Sequence, residues 1–263
     1  MGRGFAIAAA VAHDVTRAVA REAEIHGYTS FWVNDTPGAD GLAALAAAAS
    51  VTERIRLGVG VVALDRRPAK SIAEDVVRLD LPQDRLWLGV GSGGDSKGLA
   101  LVRSGVEELH GLVSAPIIVG ALGPKMSALA GEAAEGVLFN WLTPSFAETA
   151  GTWVTAAASE RGRPRPALMA FVRCALLPQA EERLAQESGR YGSFPKYAAH
   201  FQRMGVDARS TTVNSDRADV LQASIAAHEE VLDEVVVRAI TADDSAESIL
   251  ELLRACAPPV GGQ

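Results

Sequence analysis

Residues 116–144 read PIIVGALGPKMSALAGEAAEGVLFNWLTP. Residues 117–119 form an apolar, β-branched run suited to a buried strand, and Gly120-Ala121-Leu122-Gly123 breaks it. A helix starts near Pro124, where proline fits because the first helical N–H has no intrahelical partner to lose. Residues 137–139 make a second strand that runs into Asn140-Trp141. Strand, tight turn, helix and returning strand make up one β/α unit, so the fold is decided by how many such units the chain holds. The turn itself carries almost no charge or bulk. Either it is punctuation, or its backbone is kept bare so that a ligand can approach.

The same alternation recurs on both sides of this stretch. Strands are expected at residues 5–11, 29–33, 54–63, 85–90, 117–119, 137–139, 167–177 and 235–240. Helical spacing follows each one. At 14–26, for example, Val15, Ala18, Val19 and Ala23 share one side, Arg17, Arg21, Glu22 and Glu24 the other, and Gly27 stops the run. Further helices are expected from 40 or 41 to about 50, from 68 to 79, at 98–110, from 124, at 145–160 and at 245–255. Near-continuous apolar strands indicate a parallel sheet covered on its outer face. Eight such units in 263 residues match an α/β chain closed as a (β/α)8 TIM barrel, a single domain over 1–263. Residues 178–233 interrupt the rhythm between strands seven and eight and hold three extra helices. Alternation alone also allows a doubly wound open sheet.

Bulk properties narrow the function. A 48% hydrophobic and 22% charged chain is an ordinary globular protein. A net charge of -7 argues against a nucleic-acid partner, and the short basic clusters at Arg54/Arg56, Arg66-Arg67 and Arg161/Arg163/Arg165 read as solvated surface. Cys174 and Cys256 have neither metal-type spacing nor a disulfide framework, which suits a reducing, cytoplasmic setting. No apolar run approaches the ~18 residues of a membrane span. The five histidines are scattered, no metal site is expected, and His26, His110 and His228 fall on helices as surface residues.

Strand four ends in LGVGSGGDSKG, and Gly89 to Gly94 literally fit G-x-G-x-x-G. The dinucleotide reading fails because the following strand ends in Gly120-Ala121-Leu122, not in an acidic residue for the ribose. A shared anion at the exits of strands four and five fits better. Both exits are glycine-rich and both lead into helices whose first N–H groups point back at the mouth. Ser92 and Lys125 are the side chains placed to assist. The plainer alternative is that Gly93 and Gly123 only supply positive φ.

Taken in order, IHGYTSFWVNDTP, RIRLGVGVVALDRRPA, DRLWLGVGSG, IIVGALGPKMSALAGEAAEGVLFNWLTP and YGSFPKYAAHFQRMG resemble the luciferase-like flavin and deazaflavin (coenzyme F420) oxidoreductases. The resemblance spans about residues 20–258. It implies a β/α barrel whose cofactor, coenzyme F420 or alternatively FMN, lies across the mouth with its phosphate at Ser92, Gly93, Gly120, Ala121, Leu122, Gly123 and Lys125. It implies a bulge with a non-prolyl cis peptide at Gly60-Val61, behind the ring. It also implies a homodimer acting on a small-molecule substrate, and the alanine-rich helix to Ser50 offers a smooth face for the second copy.

Two departures qualify that implication. The imidazole or glutamate that relatives often carry after strand two is replaced by Thr36 beside Asp35, which leaves Asp35 as proton acceptor or as a tie to the ring's polar edge. Between Gly94 and Pro116 there is room for only one helix, so a long lid is missing. A wetter centre favours hydride transfer over oxygenation, or a binding protein without catalysis. Asn140 is placed to hydrogen-bond the ring, and Trp141 to stack on substrate or to plug the barrel. Arg173 lies inside an apolar strand and needs a carboxylate, with Asp35 the candidate, or an anionic substrate; Arg238 raises the same question beside it. Phosphosugar chemistry on an unrelated barrel needs carboxylates at several strand ends, where only Asp35 and Asp65 stand.

Overall fold

The computed structural model describes residues 2–259. In chain order the elements are β1 (Gly2–Ile7), α1 (His13–Ile25), β2 (Ser30–Val33), α2 (Gly41–Ala49), β3 (Arg56–Ala63), α3 (Ala69–Arg78) and β4 (Leu86–Gly91). They continue with α4 (Gly98–His110), β5 (Ile117–Ala121), α5 (Pro124–Ala133), β6 (Gly136–Asn140), α6 (Pro144–Glu160) and β7 (Ala167–Leu176). The final part holds α7 (Glu181–Ser193), α8 (Pro195–Met204), a 3-10 turn at Arg209–Thr211, β8 (Val213–Ser215), α9 (Ala218–Glu229), β9 (Glu234–Ala239) and α10 (Ala246–Ala255).

All strand pairings are parallel, and β6 pairs with β7 to close the sheet on itself. Eight strands form the ring, with β9 lying between β1 and β7. The open-sheet alternative is excluded by that closure. The additional strand β8 pairs only with Cys174–Leu176 beyond the end of β9, and three residues are too few to show a period in sequence. The insertion between β7 and β9 holds the three expected α-helices. The first strand starts earlier than expected, because Gly2 and Gly4 pair with Glu234 and Val236, whereas Val11 belongs to a turn that hydrogen-bonds Ala8. His228 is buried, contrary to expectation, and its Nδ1 donates to the Ser224 carbonyl. Among the described residues no helix is long and apolar enough to cross a membrane.

Two separate packings hold the fold. The shell between strands and helices is aliphatic, built from residues such as Leu42, Leu57, Ile72, Leu88 and Val154. The barrel interior is a small cluster of Ala6, Trp32, Ile118, Leu138, Met169, Phe171 and Val236. Alternate residues of a strand face inward, and each interior layer is filled from alternate strands of the ring. Trp32 occupies the middle, edge-on to Phe171 at 5.9 Å and to Trp87 at 6.0 Å. It fits because β3 has Gly58 opposite: a Cβ there would lie 2.2 Å from the indole. Below it, Glu234 accepts from Trp32 Nε1 and from the Ser30 hydroxyl, and the Arg56 guanidinium lies 3.8 Å from the same carboxylate. The N-terminal end of the barrel is thereby sealed.

Arg3 performs a different task outside the ring. Its guanidinium donates to Glu229, Gln222 and the Cys256 carbonyl, which ties β1, α9 and the end of α10 together. The pair with Glu229 is largely buried and well formed, so loss of either partner strands the other.

The interior packing yields a contrast that denaturation can check. Gly58→Ala forces a methyl into the Trp32 ring, and we expect a loss of about 2–3 kcal/mol in urea unfolding. Gly189→Ala, in the middle of α7 with open space around it, should instead gain about 0.5–1 kcal/mol from helix propensity.

Candidate ligand site at the barrel mouth

Above the Trp32 layer the C-terminal end of the barrel opens into a cavity of about 670 Å³. That size is typical of a site for a cofactor-sized molecule. One wall is made by the exits of β3, β4 and β5, the other by β6, β7 and β9, and α7 and α8 rise over the rim.

The β3 wall is shaped by a bulge. The β3–β4 register shifts between Val59 and Val62, and the Gly60–Val61 peptide is cis. Val61 is thereby turned against β4 and β5. A Cβ on Gly91 would come 2.7 Å from Val61, and one on Gly120 3.0 Å. A Cβ on Gly60 would strike Leu138 and Phe171. These glycines therefore make room for protein side chains, while Gly60, Val61 and Gly120 still line the cavity with their backbone.

The two rims differ. At the β4 exit Gly93 has φ +59°, and the Asp65 carboxylate accepts the Gly94 N–H at 2.7 Å, so part of that turn is already bound to an acid. At the β5 exit Gly123 is extended, with φ -141°, so the expectation of positive φ fails there. Space beside Gly123 is open as far as the Arg203 guanidinium, 3.5 Å from where a Cβ would stand. Arg203 donates to the Leu122 carbonyl at 3.4 Å, and Lys196 to the Gly93 carbonyl at 2.9 Å. Both cations come from α8, and seven residues' separation places them on one helix face. Ser92, Gly93, Gly120, Ala121, Leu122 and Gly123 all line the cavity. Lys125 does not: it is exposed on α5 and points away from it.

On the far wall Arg173 and Arg238 sit side by side in register on β7 and β9. Arg173 pairs with Glu187 of α7 at 3.0 Å, donates to Asn140, and lies 4.0 Å over the Trp141 ring. Its carboxylate partner is thus Glu187, not Asp35. Asp35 instead accepts the Gly41 N–H at 3.0 Å and pairs with Arg66 at 3.1 Å and Arg67 at 3.8 Å, which fastens the β2 exit to the start of α2. A carboxylate with three standing partners is poorly placed as a free base. Asp35 still lines the cavity, whereas Trp141 does not. It is sealed beneath Tyr191 and Phe201, so of the two roles expected for it, it fills that of plug. His200 Nε2 donates to the Trp141 carbonyl and burial lowers the imidazole's pKa, so it stays neutral and pins the β6 exit to α8.

Asn140 links both walls, with its carbonyl on Arg173 and its amide N–H donating to the Tyr197 hydroxyl at 3.1 Å. Burial, with Tyr191 adding to it, pushes the Tyr197 pKa up to about 12, so the hydroxyl keeps its proton and faces the cavity as a donor. Arg190, Lys196, Arg203 and Arg238 line the cavity, and none has a carboxylate within 4.0 Å among the described residues. Unpaired guanidinium and ammonium groups around one hollow create a positive field in a chain whose net charge is -7. No cluster of three or more His, Cys, Asp or Glu side chains among the described residues is arranged to hold a metal ion.

The residues that sequence reasoning missed come from one segment. YGSFPKYAAHFQRMG carries the family resemblance as a stretch, and within it stand Lys196, Tyr197 and Arg203, with Glu187 four residues before it. The helical spacing of Lys196 and Arg203 was legible; that α8 folds back over the β4 and β5 exits was not. The missing lid after β4 is therefore offset by α7 and α8, which roof the same mouth.

The molecule is a parallel β/α barrel with a cation-lined cavity at its C-terminal rim. The luciferase-like monooxygenase family model matches residues 5–108 and 100–257, and the chain belongs to that family. The 5,10-methylenetetrahydromethanopterin reductase of Methanolobus tindarius is 28% identical over 192 residues, and the chain spans 59% of its length, with 59% of this chain matched. Among solved structures, the coenzyme F420 dependent tetrahydromethanopterin reductase from Methanopyrus kandleri superposes with a TM-score of 0.73 at 18% identity, covering 96% of both chains. An F420-dependent secondary alcohol dehydrogenase in complex with an F420–acetone adduct gives 0.76 at 14% identity, covering 98% of this chain and 99% of that one. The oxygenating constituent of 3,6-diketocamphane monooxygenase from Pseudomonas putida, in complex with FMN, gives 0.71 at 15% identity, covering 100% and 99%. At these identities the structural matches establish the shared fold.

The Glu187–Arg173 pair yields a pH-dependent expectation. Burial alone would raise the Glu187 pKa, but Arg173 and then Arg238 outweigh it and hold the carboxylate below its usual range. Its contribution to stability is present above the unfolded-state value of about 4.3 and is lost as pH falls through the lowered folded value. Glu187→Gln should cost about 3 kcal/mol at pH 7, where it leaves Arg173 buried without its partner. The gap to wild type should close in urea titrations carried well below pH 4.3, a shrinkage that a pH-independent packing defect does not show.

Proposed function

We propose that this protein is an oxidoreductase that binds coenzyme F420, with FMN as the alternative, and moves a hydride between that cofactor and a small organic substrate. The observation that carries this is the pair Lys196 and Arg203, which bridge the β4 and β5 exits while resting only on backbone carbonyls. Such donors turn readily to a phosphate, a far stronger acceptor. The phosphate then lies among Ser92, the Leu122–Gly123 backbone, Lys196 and Arg203, with Lys125 outside the site. Gly60 and Val61 support the ring from the β3 side, and Asn140 and Tyr197 meet its polar edge or the substrate oxygen. The hydride chemistry belongs to the cofactor when bound; the chain orients it, excludes water beneath α7 and α8, and offers the Tyr197 proton as a hydrogen bond.

F420 is preferred to FMN because its tail carries carboxylates in addition to phosphate, and Arg190 stands at the rim with no carboxylate within 4.0 Å among the described residues. A non-catalytic carrier of the same cofactor is the second possibility, favoured by one feature: the Asp35 carboxylate is spent on Gly41, Arg66 and Arg67. A homodimer through α2 also belongs to this proposal, since Ala43, Ala46 and Ala49 are only half-buried within one copy.

Fluorescence titration of the purified protein with F420 and with FMN tests the assignment. Lys196→Ala and Arg203→Ala should each weaken cofactor binding by about 10- to 100-fold, the cost of one charge-assisted contact. Lys125→Ala should leave it unchanged. If neither cofactor binds, the assignment fails. Oxidation of the reduced cofactor by a substrate panel then separates an enzyme from a carrier.

A further inference from the structure

Arg238 is a buried charge with no carboxylate within 4.0 Å among the described residues. It is only 8% exposed, it lies on the inner face of β9, and it lines the cavity directly above the Val236 layer. Its Nη1 donates to the neighbouring Ala239 carbonyl; Nε and Nη2 form no hydrogen bond among the described residues. Neither of those nitrogens is sealed from the cavity without a partner, unlike Trp141 Nε1. A buried guanidinium with free donors is costly to fold around unless an anion completes it. Burial and the adjacent Arg173 both act against its charge, and Glu187 relieves only part of that.

Positive charge is in excess at this end of the cavity: Arg173, Arg190 and Arg238 face the one Glu187 carboxylate, which Arg173 already holds. Arg238 offers one buried free fork there, which takes one carboxylate group. A planar fork with two free donors matches a carboxylate, which takes both in parallel. The position is also distinct from the phosphate rim. Lys196 and Arg203 serve the β4 and β5 exits, whereas Arg238 stands three strands further round the ring, beyond Asn140 and Arg173.

We propose that Arg238 is the carboxylate receptor for a small organic monocarboxylate substrate, bound at the β7–β9 side of the cavity. This deepens the oxidoreductase assignment and rests on it for the word substrate; the anion subsite itself does not. The hydride donor or acceptor carbon of such a molecule lies between the carboxylate anchor and the wall formed by Gly60 and Val61. Asn140 and Tyr197 stand between the two and supply the polar contacts to the rest of the substrate.

Isothermal titration of the wild-type protein with benzoate, benzamide and inorganic phosphate tests this directly. Benzoate should bind, benzamide should not, and Arg238→Gln should weaken benzoate by about tenfold or more, as loss of a bidentate charged contact implies. Arg238→Lys, which keeps the charge but not the fork, should recover part of the affinity. F420 affinity should stay within about twofold of wild type in Arg238→Gln, because the phosphate contacts lie elsewhere. Equal binding of benzamide, or benzoate binding that survives Arg238→Gln, overturns the proposal. Loss of F420 binding in Arg238→Gln also overturns it, by moving Arg238 into the cofactor site. Phosphate binding that Arg203→Ala abolishes is expected of the other rim; benzoate binding that phosphate displaces and Arg203→Ala abolishes would put the carboxylate there instead and overturn the proposal as well. Should Arg238→Gln fail to fold, the wild-type comparison and Arg238→Lys decide alone. Failure of both F420 and FMN to bind would sink the cofactor assignment while leaving the benzoate result standing, so the two failures are told apart.

Discussion

A closed ring of eight parallel strands encloses a fixed volume, and here Trp32 takes the middle of it. The indole fits only because Gly58 leaves the facing position empty, and Glu234 anchors its N–H from below. With the lower half filled and sealed, everything above Trp32 is free to become a cavity. The other features of the mouth follow from that division. Val61 can turn inward at the bulge because Gly91 and Gly120 yield to it, and the β7–β9 side can carry arginines because the space they face is not packed.

The second constraint is electrostatic. An acidic chain has gathered a group of cations around one hollow, and it has done so from two sources. Arg173 and Arg238 project from the strands themselves, whereas Arg190, Lys196 and Arg203 are brought by α7 and α8. Where a cation has a carboxylate, the pair does structural work: Arg3 with Glu229 ties the first strand to the last helices, and Arg66 and Arg67 hold the β2 exit through Asp35. Arg190, Lys196, Arg203 and Arg238, which have no carboxylate within 4.0 Å among the described residues, line the cavity instead. Membership of the luciferase-like family gives that arrangement a chemical context without naming the ligand.

The barrel was legible in the sequence because its strands are continuous apolar runs and helices such as α1 and α3 carry a clear polar face. The cis peptide at Gly60–Val61 was anticipated from the family resemblance and is present. What failed did so for physical reasons. β8 is too short for any period to show. Lys125 stands close to Gly123 in sequence, yet the second residue of α5 is exposed outside the cavity, and the cations that reach the rim arrive from 81 and 103 residues away through tertiary packing. Trp141 and Asp35 were rightly placed near the mouth, but proximity does not decide whether a side chain faces the hollow or is engaged by its neighbours. The glycines were the hardest to interpret, since a bare backbone serves a ligand and a bulky neighbour equally well.

The roof over the mouth is a single excursion of chain between two strands that already pair with each other, β7 and β9. Its loss or exchange would leave the ring's hydrogen bonding intact. Canopy and floor are therefore separable parts: exchanging the hairpin of helices would change which anionic tail is admitted, while Arg173 and Arg238 stay rooted in the strands.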